Sequence, residues 1–279
     1  MKEARLLTEG EYPLWDKFVE ESPQGTIFST TRWMQLHDAP FTVHGYFKRD
    51  NLLGGIASFN EPMPATPFQG VLVEATPDAK YTTIMSRHNE VAAALTHFLP
   101  NEFWNHYTYP DMRPFLWRGW KVGIRYTYVV NLRNMNELWS NLEKNTRYEI
   151  TSRQGLEMAG NPHLDIFDDL YSQTFTRKGL SRPLNSEFFR KLASAIDHAL
   201  YMTTDNEAGV LMIRDNKRSY YIFGASSGSG ASSYCLWQAL LSESLVRKEV
   251  DLVGCNNQKI GLFKRGFAGR LQCYFGVSK

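Results

Sequence analysis

The sequence predicts an α/β fold made of two units of the same kind, and three observations carry that prediction. Arg-Asp-Asn recurs between two strand-like runs, in FKRDNLLGGIASF (Phe47 to Phe59) and in MIRDNKRSYYIFGAS (Met212 to Ser226). Asp and Asn tolerate the left-handed backbone of hairpin turns, so each copy reads as strand, turn, strand. An early Leu-Trp in an amphipathic helical pattern also recurs, in PLWDKF (Pro13 to Phe18) and ELWSNL (Glu137 to Leu142). Helix, hairpin, helix and further strands then follow in both halves, the mark of a duplicated unit. The division falls near Arg133, giving units 1–133 and 134–279, each a mixed sheet flanked by helices.

In the first unit PLWDKF opens as a helix, and FTVHGYF with GIASFN forms the hairpin. The Pro-rich EPMPATP interrupts the sheet, VAAALTHFL is a helix, and WNHYTY and RYTYVVNL are later strands. The second unit opens with ELWSNLEKNTRYEITSRQGL, where Leu138, Leu142 and Ile150 follow helical spacing and Gly155 offers a stop. Two helices come next, DIFDDLYSQTFTRK and NSEFFRKLASAIDHAL, the latter capped by Asn185 or Ser186. AGVLMIRD and RSYYIFGAS are strands, ASSYCLWQALLSESLVRK a helix and VDLVGC a buried strand, and CNNQKIGLFKRGFAG reads as a loop.

The 279 residues are 43% hydrophobic, enough for a full core and against disorder. No apolar run approaches the roughly 18 residues of a membrane span, and the charged MKEARLLTEGEYPLW lacks the apolar stretch of a signal peptide. The expectation is a cytoplasmic protein without a transmembrane segment. Cys235, Cys255 and Cys273 are spaced for neither a disulfide framework nor a zinc knuckle. The seven histidines show no paired metal spacing, so no metal is expected. A net charge of +2 is far from the strong basic bias of a dedicated nucleic-acid domain, which leaves room only for a local basic patch, and no DNA partner is expected.

GASSGSGASS (Gly224 to Ser233) joins a strand to a helix. Its first five residues fit the G-x-S-x-G elbow of serine hydrolases, but every histidine precedes Ser226, and the hydrolase order needs one after it. Two readings stay open: a flexible loop, or a phosphate cradle in which Gly228 and Gly230 let backbone N–H groups at the helix start approach a coenzyme pyrophosphate. Asp168 and Asp169 read as an exposed helix face. In GLFKRGFAG (Gly261 to Gly269), phenylalanines interleave with cations, with Lys259 and Arg270 alongside. That combination suits gripping a nucleotide end or stabilising negative charge that develops in an apolar channel. Trp104, Tyr107, Tyr109, Phe115, Trp117 and Trp120 read mostly as core at the junction of the units.

Taken in order, TIFSTTRWMQL, RPFLWRGWKVGIRYTYVVNL, LEKNTRYEITSRQGLEM, YSQTFTRKGL and YYIFGASS…LWQALLSES…VDLVGCNNQKIGLFKRGFAG resemble the FemABX-type aminoacyltransferases. The resemblance spans nearly the whole chain, and the closing segment is its most specific part. It implies two tandem GNAT-like (acetyltransferase-like) units, the second carrying the donor channel. It places Phe263 and Lys264 at the aminoacyl end of a charged tRNA and at the transferring carbonyl. Arg265, Lys259, Gly228 and Gly230 are the candidate donor contacts, and Arg177, Trp33 and Arg147 the candidate acceptor contacts. Gln35 and His37 stand beyond Trp33 where members acting on cell-wall precursors commonly carry a lysine, and the long helical arm of some members has no counterpart here.

The resemblance thus implies amide-bond formation with aminoacyl-tRNA as donor substrate, an amine-bearing acceptor (a peptide, a peptidoglycan-like precursor or a small metabolite), and no bound cofactor. One alternative donor is an acyl-coenzyme A or carrier-protein thioester cradled at Gly224 to Ala231. A further alternative is a binding module on the same scaffold that performs no chemistry.

Overall fold

Both Arg-Asp-Asn segments do turn hairpins, and the first takes its left-handed residue one position earlier than Asp and Asn suggest, at Arg49 (φ 55°). The structure is a computed structural model that describes residues 2–279. Its chain forms two units, one running to Arg125 and including Cys273–Lys279, the other Tyr126–Gln272. The division lies inside a strand, eight residues before Arg133, and the last seven residues return to the first unit.

Unit 1 contains β1 (Lys2–Leu6), α1 (Tyr12–Glu21), α2 (Thr31–Met34), β2 (Phe41–Lys48), β3 (Asn51–Phe59), β4 (Leu72–Val73), α3 (Tyr81–Leu95), β5 (Glu102–Asn105), α4 (Arg113–Leu116) and the start of β6 (Lys121–Asn131). Pro13 sits in the first turn of α1, where its missing N–H would have had no partner. β1 to β4 pair in sequence order, each antiparallel to the next, so no parallel pair occurs among them. One core gathers around Trp15, Met34 and Val43. A second packs Val91 and Leu95 of α3 with Tyr109, Phe115 and Trp120, which places those three rings in unit 1's own core. Trp117, from the same aromatic belt, is 66% exposed.

Unit 2 takes the rest of β6, then α5 (Met135–Asn141), α6 (Lys144–Thr151), α7 (Leu164–Arg177), α8 (Ser186–Ala195), β7 (His198–Met202), β8 (Ala208–Arg214), β9 (Ser219–Ser226), α9 (Ser232–Glu243), β10 (Glu249–Asp251), α10 (Gln258–Arg265) and the start of β11 (Arg270–Ser278). Its strands run in the order β6-β10-β9-β8-β7. β9 and β10 are parallel, joined across α9, and the other pairs are antiparallel. The core centres on Leu236, Leu240 and Val250. Asn185 caps α8 by accepting from the Phe188 N–H, as its sequence position predicts. Among the described residues no helix is long and apolar enough to cross a membrane.

Three local expectations change. The single helix read over residues 137–156 breaks at Leu142, because Arg147 donates to Ser140 O and Leu142 O and so stops α5, while Glu143 N–H turns away to Gly266 O. The closing GLFKRGFAG is largely helical: Asn257 caps α10 by accepting from the Lys259 and Ile260 N–H groups. Gly261 is needed inside that helix because a Cβ there would lie 2.7 Å from Cys255 O. Finally, Asp169 is exposed but Asp168 is buried and ion-paired with Arg182.

One buried charge anchors unit 2. Glu243 is fully buried and accepts from Arg214, from Tyr201 Oη at 2.8 Å and from Ser219 Oγ. Removing a carboxylate from such a cluster leaves the partly buried Arg214 guanidinium and the Ser219 hydroxyl without their acceptor, so Glu243→Ala is expected to lower the unfolding free energy by about 3 kcal/mol. Urea denaturation checks this, and a loss below about 1 kcal/mol would place the stabilisation elsewhere.

Candidate functional site

β10 ends at Asp251, and the chain then kinks sharply. Val253 (φ 50°) and Gly254 (φ 42°) both lie in the left-handed region. For a β-branched residue this is a genuine outlier, of order 1–3 kcal/mol, and it persists only where the surroundings enforce it. Here Val253 N–H donates to Asp251 Oδ1 at 2.8 Å, and the Lys264 ammonium donates to Val253 O and, at 3.2 Å, to Gly254 O.

Lys264 is thus turned inward from α10. Burial pushes its amine down to about 8, opposed by the charges of Asp251 and Cys255. Asp251 is fully buried and accepts from Thr127 Oγ1 at 2.5 Å, and its Oδ2 has no protein partner. Burial pushes its carboxyl up, against the hydrogen bonds from Thr127 and Val253. Lys264 Nζ also stands 5.3 Å from the centroid of the Tyr221 ring, on its face, so the cation polarises that ring.

Tyr221, on β9, connects this buried pair to a pocket. The pocket, of about 150 Å³, is lined by Tyr221, Gly224, Ser226, Thr174, Ser232 and Phe263 among others. The Tyr221 hydroxyl makes no hydrogen bond among the described residues, and burial pushes the phenol well up, so it stays protonated. Gly224 is required by this ring: a Cβ there would come within 2.2 Å of Tyr221 Oη.

The loop from β9 to α9 closes one side. Gly228 (φ 98°) and Gly230 (φ 89°) adopt backbone that side chains rarely take. Thr174 Oγ1 donates to Ser226 O at 3.0 Å and accepts from Ser226 N–H, Arg177 Nη1 donates to Ser226 O at 2.8 Å, and Arg153 donates to Ser229 O. Two guanidiniums therefore flank the glycines. At the first turn of α9, Ser233 Oγ donates to Glu149 Oε2 at 2.6 Å, so a carboxylate of the chain already complements that helix end.

Of the residues singled out from sequence, Phe263, Gly228, Gly230 and Arg177 meet around this pocket and its loop, and Lys264 joins them through Tyr221. Phe263 also stacks edge-on to Phe267 at 5.4 Å. The others lie elsewhere. Arg265 is exposed and paired with Glu143 at 2.6 Å, and Lys259 is exposed on α10. Arg147 stops α5, and Trp33 is fully buried in unit 1, edge-on to Phe28 at 4.8 Å. Sequence reasoning missed Tyr221, Thr174, Asp251 and Arg153. Only Tyr221 left a trace, because a glycine three residues later in a strand signals a close approach.

No protein-family model matches the chain, and no curated protein matches it. Solved structures do share its fold. FemX superposes with a TM-score of 0.65 at 14% identity, over 98% of this chain and 96% of that one. A tandem GNAT protein from the clavulanic acid biosynthesis pathway gives 0.57 at 8% identity, over 100% and 98%. L-PGS from Bacillus licheniformis gives 0.53 at 11%, over 98% and 92%. The chain has the two-unit, tandem GNAT-like fold that these three structures share.

Proposed function

We propose that the chain is an acyltransferase that forms amide bonds, moving an acyl or aminoacyl group from an activated ester onto an amine at the unit 2 pocket. The observation that carries this reading is the Tyr221 hydroxyl, protonated, without a protein partner, and lining a pocket between the β9–α9 loop and Phe263. The amine nitrogen attacks the acyl carbonyl, and the carbonyl oxygen takes up negative charge that the Tyr221 O–H stabilises. That attack forms the C–N bond; the tetrahedral oxyanion then collapses, breaking the C–O bond of an ester donor or the C–S bond of a thioester, and the proton lost by the amine passes to the departing oxygen or sulfur, or to water. Lys264 is a positioning residue here: its charge on the ring face strengthens the phenol as a donor, and its ammonium fixes the Val253–Gly254 kink. Holding donor and amine together contributes the rest.

Aminoacyl-tRNA is the donor of the first reading, supported by the resemblance of the closing segment and by the likeness to FemX. An acyl thioester is the second, favoured by Gly228 and Gly230 and their flanking arginines. Titrating the protein with a short aminoacylated acceptor stem at several salt concentrations, and with acetyl-coenzyme A in parallel, separates them. Stem binding that weakens steeply with salt is expected on the first reading, as phosphate contacts release counterions. Gly228→Val and Gly230→Val are expected to weaken coenzyme binding by about ten-fold or more if the thioester is the donor, and to leave stem binding unchanged if tRNA is. Saturable binding of neither ligand would overturn both donors.

A further inference from the structure

Unit 1 holds a pocket that the acyl-transfer reading does not use. It measures about 340 Å³, within the range of small-molecule sites, and lies against α3 and the turn after β4. Its walls are apolar, from Ile84, Met85, Pro77 and Pro110, with Tyr81 exposed beside them.

Two buried polar side chains line it with hydrogen bonding left unfinished. His88 is 3% exposed, its ring stacked on Tyr109 at 4.4 Å; its Nδ1 is sealed from solvent without a protein partner, and its Nε2, which makes no hydrogen bond among the described residues, is the nitrogen left to meet a ligand. Burial holds this imidazole down to about 4, so near neutral pH it is uncharged, with one nitrogen that donates and one that accepts. Gln24, also 3% exposed, accepts through Oε1 from Ser22 Oγ and from Val73 N–H, both at 3.0 Å, while its Nε2 makes no hydrogen bond among the described residues. Buried polar groups are ordinarily paired. The remaining charge, Glu74, is matched by Arg87 at 2.8 Å, so no uncompensated charge awaits an ion.

We propose that this pocket binds a small, uncharged, planar molecule carrying an amide or similar donor-acceptor edge. The edge meets His88 and Gln24, and the flat apolar body lies against Ile84, Met85 and the prolines. The site stands independently of the unit 2 chemistry.

Benzamide is the probe, titrated into the full-length protein by NMR, with toluene (body without edge) and benzoate (charged edge) as comparators. Saturable binding is expected, shifting the His88 ring and Gln24 side-chain amide signals, with both comparators weaker by about ten-fold or more, the scale of one buried hydrogen bond. Met85→Trp, which fills the pocket from its apolar wall, and His88→Phe, which keeps the stack on Tyr109, are expected to weaken benzamide by a similar factor. Should His88→Phe fail to fold, the Met85→Trp titration and the shift map decide. Benzamide binding left intact in Met85→Trp, equal binding of toluene or benzoate, or no saturation would overturn the proposal.

Discussion

Replacing Tyr221 by Phe is expected to lower turnover by about 10²–10³-fold, the cost of removing one oxyanion donor, while leaving donor affinity and stability nearly unchanged. The hydroxyl has no protein hydrogen bond to lose. Only a group that forms on the way to the transition state feels its absence. The phenylalanine ring keeps the apolar contacts, the face presented to Lys264 and the space over Gly224 that a side chain would invade. A kcat equal to the wild type's would remove Tyr221 from the chemistry. An equal rise in KM alone would make it a substrate contact that does not sense the reaction.

Lys264→Met, close in length but without charge, is expected to lower turnover by about ten-fold or more and to change how activity depends on pH. The sign follows from burial. With the amine at about 8 instead of its usual 10.5, the folded protein loses the Lys264 proton as pH rises through about 8, and activity falls with it. The acceptor amine must itself be deprotonated, which makes its limb rise with pH, the opposite sign, so an alkaline fall belongs to the protein and should vanish in Lys264→Met. The linkage to stability runs the other way. Between about 8 and 10.5 the unfolded chain binds the proton more than the folded one, so the Lys264 contribution to stability rises with pH through that window, and below it the burial cost is fully present. Urea titrations of both proteins across pH 7–11 check this, and an alkaline limb retained by the methionine variant would assign it to another group.

The duplicated hairpins were legible because turn chemistry is local: an Arg-Asp-Asn between strand-like runs needs no knowledge of what packs beside it. Asn185 was legible as a cap for the same reason. GLFKRGFAG misled as a loop because its glycines count as helix breakers, whereas Gly261 answers a long-range demand, the nearness of Cys255 O. The strand at VDLVGC was legible only as far as Asp251, because the kink at Val253 is enforced by Asp251 and Lys264 against the preference of valine.

The site shows the same division. Phe263, Gly228, Gly230 and Arg177 stood out by composition, and all come to one pocket or its loop. Lys264 stood out as a cation between aromatics, but its inward turn depends on two backbone carbonyls that sequence does not place. Tyr221 sits beside Tyr220 in the same strand, and nothing in their spelling tells them apart. Tyr220 donates to Asp215 at 2.7 Å, whereas Tyr221 faces the pocket. Arg265, Lys259 and Arg147 look like ligand-gripping cations in one dimension, yet Arg265 is held by Glu143, Arg147 by the end of the preceding helix α5, and Lys259 lies apart from the pocket.

The most direct test of amide-forming transfer is a single-turnover reaction of the purified protein, with an aminoacylated acceptor stem or acetyl-coenzyme A as donor and glycinamide or a lysyl peptide as amine, read by mass spectrometry. The expected result is a new amide, its mass raised by the acyl group, formed by the wild type and slowed by about 10²–10³-fold in Tyr221→Phe. Binding of a donor in its intact, activated form with no amide from either enzyme would contradict transfer and leave a scaffold that grips its ligand without reacting.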